Sequence, residues 1–207
     1  MLKRSVLAAA LSCLALASAQ VTPESEDCLE LPADWTKRTD NMLAHLPEGY
    51  NLDIGVIGVL DQVEFGNATL TNMSQNLELD SAFSTFCYGE KRLIVIGIRC
   101  RHECLRLTLP WSHAGLGLSG EAVSLLRELE LQAEVAVTET EDRNVYDVVR
   151  VTPRKLEARA LHIAAWPWWA KYAIKVIVDL FLSRALPELL AKNLPGAFRH
   201  AIEQSSP

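Results

Sequence analysis

The chain has 207 residues, a formal net charge of −6, and 49% hydrophobic against 22% charged residues. This acidic balance speaks against a nucleic-acid partner and against general attraction to anionic membranes. The length suits one domain with a sizeable core.

The N-terminus has the layout of a secretory signal peptide. Lys3 and Arg4 form a basic start, Val6 to Leu16 an apolar stretch, and Ala17-Ser18-Ala19 a small-x-small cleavage pattern. Residues 1–19 are therefore expected to be removed, leaving 20–207 as a single secreted, extracellular domain. Losing Lys3 and Arg4 makes the mature chain more acidic still. Residues 20–32 are a polar, acidic lead-in. Asp34 to Leu46 is predicted as a short helix with Trp35, Met42, Leu43 and Leu46 on its apolar side, ended by Pro47-Glu48-Gly49.

From residue 52 to about 163 the hydrophobic pattern changes to period two. Leu52, Ile54 and Val56 alternate, then Ile57, Val59, Val63 and Phe65 in the other phase. Leu93 to Ile98 is a buried-strand run, and Leu105, Leu107 and Leu109 follow in the opposite phase. A bulge or turn must lie between those two stretches. Residues 128–137 give the clearest strand. Leu129, Leu131, Ala133, Val135 and Val137 face one way; Glu128, Glu130, Gln132 and Glu134 face the other. Val145 to Val151 returns, Pro153 is expected to break it, and Leu156 to Ile163 makes a further strand. About six strands with short connections suit one antiparallel sheet.

Four cysteines remain after cleavage: Cys28, Cys87, Cys100 and Cys104. In an oxidising compartment two disulfides are the default, and three connectivities are possible. A straight strand would hold Cys100 and Cys104 about 13 Å apart, too far to pair. A tight turn at Arg101-His102-Glu103 would bring them together, leaving Cys28 to pair with Cys87. A zinc site is disfavoured, because no second close ligand pair accompanies C-x3-C. Asn67-Ala68-Thr69 and Asn72-Met73-Ser74 are glycosylation sequons, expected on an exposed turn or edge.

Gly115, Gly117 and Gly120 form a G-x-G-x-x-G, but no strand leads directly into it and no helix follows. It is read as a glycine-rich turn rather than a dinucleotide site. There is no G-x-S-x-G or H-E-x-x-H motif, and the five histidines are scattered. Neither an enzyme nor a cofactor is expected.

Trp166-Pro167-Trp168-Trp169 opens a helix that is apolar almost all the way round. Its polar positions within 168–183 are Lys171, Lys175, Asp179 and Ser183, one narrow stripe at four-residue spacing. The three charges make it a poor membrane span, so protein must enclose it. Pro187 and Pro195 are expected to kink or divide it, with Leu189, Leu190, Leu194, Phe198 and Ile202 keeping helical spacing beyond. The tryptophans suit either a packing anchor or an aromatic rim at a ligand mouth or membrane-contacting tip.

The fold class is therefore α+β: a single, highly curved antiparallel sheet wrapped around a long C-terminal helix. The polar stripe would mark the open seam of the wrap. Apolar residues expected to line core or pocket are Leu129, Leu131, Val135 and Val137 on the sheet, and Trp169, Val176, Ile177, Leu180 and Phe181 on the helix.

This order of elements resembles the TULIP superfamily of tubular lipid-binding proteins. That group includes the bactericidal/permeability-increasing family, insect juvenile-hormone-binding proteins and the group 7 mite allergens. The resemblance is carried by the signal peptide, the short helix before residue 47, the strand leading into GNATLTNMS, and the closing helix after residue 166. It implies a secreted binder or carrier of a hydrophobic, lipid-like ligand held between sheet and helix. The alternatives are a membrane- or microbe-surface-binding defence protein and a secreted interaction protein with no cavity.

Overall fold

A computed structural model describes residues 35–54, 63–88, 91–139, 144–164 and 168–205. The signal peptide, Cys28, the strand expected through Ile57 and Val59, and Trp166 lie outside the described residues.

Helix α1 (Trp35–Ala44) buries Trp35, Thr39, Met42 and Leu43 along one face, as its spacing requires. Seven described strands then form one antiparallel sheet. Three are short: β1 (Gly49–Leu52), β2 (Val63–Phe65) and β3 (Ala68–Thr71). A four-residue helix, α2 (Met73–Asn76), follows Asn72, whose φ of 71° is left-handed, a conformation asparagine tolerates well. Four longer strands complete the sheet: β4 (Glu78–Tyr88), β5 (Lys91–His113), β6 (Leu118–Glu139) and β7 (Asn144–Ile163).

Strand β5 is the spine of the sheet. Along one edge it pairs in succession with β4, β3 and β2; along the other it pairs with β6. Strand β7 pairs with β6 and forms an edge, so the curved sheet does not close. At 23, 22 and 20 residues, β5, β6 and β7 are far longer than an ordinary strand of about 5–6. The β6–β7 ladder carries four register shifts. Each inserted residue bends and twists the pair, which lets strands of this length curl around a helix.

Two sequence expectations change here. Residues 93–98 and 105–109 belong to one strand, β5, joined through a bulge between Arg101 and Leu105 rather than a hairpin. Pro153 does not break β7. As an edge strand β7 has a free side on which proline's missing donor is tolerated, and a shift in pairing accommodates it opposite Leu131.

The C-terminal helix runs as α3 (Trp168–Leu180), a π-helical turn (Phe181–Ala185) and α4 (Leu186–Ser205). Pro187 stands two residues past the end of the π-turn, at the second position of α4. Proline clashes with the carbonyl four residues back, and widening the preceding turn relieves that crowding. The Leu186 N–H reaches the Phe181 carbonyl. Pro195 leaves α4 undivided; Leu194, Ala197 and Phe198 on either side are buried against the sheet.

The core lies between the concave face of the sheet and this helix. Leu129, Leu131, Ala133, Val135 and Val137 point inward, as their alternation requires, and meet Ile174, Ile177, Phe181, Leu190 and Phe198 in one cluster. The outer face of the sheet is laced with polar pairs. Arg99 joins Glu78 at 2.9 Å and Asp80 at 3.1 Å, and Lys155 meets Glu128. No helix among the described residues is long and apolar enough to cross a membrane.

Candidate functional site at the seam between helix and edge strand

Helix α4 is clasped to the sheet on both sides. The Asn193 side-chain oxygen accepts the Asp53 N–H at 3.0 Å, and the Tyr50 hydroxyl donates to the Asn193 carbonyl at 3.0 Å. On the other side Arg199 donates to Asp147 at 2.7 Å and to the Val148 carbonyl at 3.0 Å. Helix α3 and the π-turn differ. Among the described residues their side-chain hydrogen bonds stay within the helix: Lys175 to Asp179, and Ser183 to the Leu180 carbonyl at 3.1 Å. Among the described residues, apolar packing is what holds α3 against the sheet.

Beneath the α3–π junction lies an open groove of about 340 Å³ against β7. Its apolar wall is Leu182, buried, with Leu156 and Ala158, half-buried. Its polar rim is Arg127, Glu157, Arg159, Asp179 and Ser183. Local sequence explains the space. The inward positions of β7 in this stretch are Leu156, Ala158 and Ala160, and two alanines in three leave room that larger side chains would fill.

The groove also sits where the sheet bends. Strand β5 carries its bulge between Arg101 and Leu105. Next to it Arg127 is the extra residue of β6 relative to β7, since Leu126 pairs with Ala158 and Glu128 with Glu157. Three neighbouring strands thus break register along one line, and the groove opens at its end. The Cys100–Cys104 disulfide, with Cα atoms 5.7 Å apart, spans the first of these bulges. The inserted residues achieve the shortening that a straight strand forbids. Cys87 in β4 is also disulfide-bonded; its expected partner, Cys28, is outside the described residues.

The sequence-derived residues divide into three groups. Leu129, Leu131, Val135, Val137, Ile177 and Phe181 are buried in the core, and the Phe181 ring sits 5.3 Å from that of Phe65. Val176 and Leu180 are corrected: they are 60% and 38% exposed and face outward. At about 100° per residue they lie off the inward arc marked by Ile174, Ile177, Val178 and Phe181. The side chain of Trp169 lies outside the described residues. The groove residues of β7 and Arg127 carried no signal in the sequence, because alternation alone does not reveal which edge a helix will overhang.

The stripe Lys171, Lys175, Asp179 and Ser183 is exposed, and its last two members form the helix side of the groove. At Asp179 and Ser183 it therefore lies along the seam. Asn67 is exposed in the β2–β3 turn, while Asn72 is half-buried beside α2. The glycine-rich segment is the β5–β6 turn: Gly117 has φ 60°, and His113 accepts the Leu116 N–H at 3.3 Å. Among the described residues no group of three His, Cys, Asp or Glu side chains gathers that could hold a metal.

Lys155, beside the groove wall, has its amine held above the ordinary value of 10.5, first through its hydrogen bond to Glu128 and then through that carboxylate's charge.

The fold and seam define a class, an unclosed antiparallel sheet curled around a C-terminal helix with one open edge. No protein-family model and no curated protein sequence matches the chain. Among solved structures, the crystal structure of a lipopolysaccharide binding protein matches with a TM-score of 0.42 and 13% identity. The match covers 82% of this chain and 36% of that one, so the chain spans about a third of that structure's length.

Proposed function

We propose that this protein is a secreted, non-catalytic binder and carrier of a hydrophobic, lipid-like ligand, of the TULIP type. The ligand enters at the seam between α3 and β7. The observation that carries the reading is the groove with an apolar wall and a charged rim beneath a helix segment whose side-chain hydrogen bonds, among the described residues, stay within the helix. Its volume, about 340 Å³, falls at the low end of small-molecule sites. Helix α4 is pinned at Asn193 and Arg199, and the π-turn separates it from α3. Helix α3 is therefore the part that yields when an apolar chain slides in against Leu182 and Ala158. Burying about 300 Å² of such a chain is worth roughly 7 kcal/mol before the cost of immobilising it.

The test uses an apolar fluorescent fatty-acid analogue and a solvent extract of the natively purified protein. Ala158→Phe fills the groove from the β7 side and is expected to weaken probe binding about tenfold or more while leaving thermal unfolding close to that of the wild type. Wild-type protein that carries no lipid and binds no probe would remove the proposal. So would a folded Ala158→Phe variant that binds as well as wild type.

A further inference from the structure

The outward face of α3 does not match what a buried-helix pattern predicts. The centre of its exposed arc is apolar, not polar. Trp168, Tyr172, Val176 and Leu180 succeed one another at four-residue spacing and are 71%, 67%, 60% and 38% exposed. At about 100° per residue this ridge points directly away from the core side, where Ala170, Ile174 and Phe181 are buried. The Trp168 and Tyr172 rings touch edge to face, with centroids 6.3 Å apart. They form one amphipathic aromatic end to the ridge.

We propose that this ridge is a docking surface for an anionic lipid surface. Charge is the first argument. The protein is acidic overall, at −6, yet the residues of α3 and the π-turn carry Lys171, Lys175 and Arg184 against Asp179 alone. A locally positive strip beside an apolar ridge complements negative headgroups over an acyl layer. Lysine stems lie along such a boundary with their ammonium groups in water. The second argument is side-chain type. Indole and phenol rings at the edge of an apolar strip suit the headgroup level of a bilayer. The third is area. If large aromatics offer about 150–250 Å² each, the exposed parts of the four side chains amount to roughly 400 Å². That is the size of the largest apolar patch on a typical monomer, which is often functional, and it falls short of the roughly 800 Å² per partner of a stable protein interface. A narrow convex ridge fits a deformable lipid surface better than a rigid partner.

The inference does not depend on the groove holding a ligand, and its test is separate. Co-sedimentation is measured with vesicles of phosphatidylcholine alone and of phosphatidylcholine mixed with phosphatidylglycerol. Wild-type protein is expected to pellet with the mixed vesicles and more weakly with the neutral ones. The double variant Trp168→Ser/Tyr172→Ser is expected to lose about tenfold or more in partitioning. Lys171→Gln is expected to lose about fivefold, on the mixed vesicles only. All these side chains are exposed, so thermal unfolding should stay near the wild-type value. Failure of the wild type to pellet with mixed vesicles would overturn the proposal, as would equal pelleting of the folded double variant. So would a wild-type dimer in sedimentation velocity that the double variant dissociates, since the ridge would then face a second copy.

Discussion

Replacing Gly120 with alanine tests how the chain hands over from sheet to helix. A β-carbon at Gly120 would stand 2.1 Å from the Ala164 carbonyl oxygen and 3.1 Å from Cζ2 of Trp111. Ordinary contact begins near 3.4 Å, so the Ala164 backbone must retreat by more than an ångström. Ala164 is held there by its N–H, which donates to the Glu121 carbonyl at 2.9 Å, and it lies four residues before α3. Overpacking of this kind costs about 1–3 kcal/mol. Losing the hydrogen bond adds about 1 kcal/mol. The expected destabilisation is therefore about 2–4 kcal/mol, or a fall of roughly 1–2 M in the urea midpoint at unchanged slope. Gly66→Ala is the control: its β-carbon would meet Pro110 at 3.4 Å, an ordinary contact, and should shift stability by less than about 0.5 kcal/mol. Urea unfolding followed by tryptophan fluorescence and far-UV circular dichroism reads both. A Gly120→Ala midpoint within error of wild type would refute the close approach of residue 164 to β6.

Cys100→Ala/Cys104→Ala opens the staple across the β5 bulge. For so short a loop the expected loss is about 2 kcal/mol, measured by urea unfolding against wild type. The groove at the end of that line of bulges should also bind the apolar probe more weakly, and unchanged stability together with unchanged binding would deny the disulfide its role in fixing the bend. Lys155 gives a pH signature. Its folded-state value is raised by Glu128, so its contribution to stability is fully present below the ordinary lysine value and disappears as pH rises through the raised one. The stability gap between wild type and Lys155→Met should accordingly close on alkaline titration, and a gap that widens there would contradict the pairing.

Much of the fold was legible in order. The burial of Leu129, Leu131, Ala133, Val135 and Val137 follows from strict alternation, which leaves a strand one way to face a core. The phase change between residues 98 and 105 announced a bulge or turn; the pairing register shows it is a bulge, and this lets Cys100 reach Cys104 without the hairpin turn that the pairing was expected to need. The helix was harder to read. Its apolar arc is wider than the face the core covers, and the polar stripe appeared to mark the middle of the open side. The structure shows the stripe as one border of that side, with Trp168, Tyr172 and Val176 at its centre.

By itself, then, the sequence determined the element order, the inward faces of the strands, the closing helix and the seam-side position of Asp179 and Ser183. These depend on periods of 2 and 3.6 residues, which are local properties of the chain. Tertiary structure alone decided that β7 keeps Pro153 because it is an edge, that three strands break register on one line, and that a groove opens there beside Ala158. It also decided which part of the apolar arc meets the core. A helix's rotation about its own axis is set by what it packs against, and that partner lies far away in the chain.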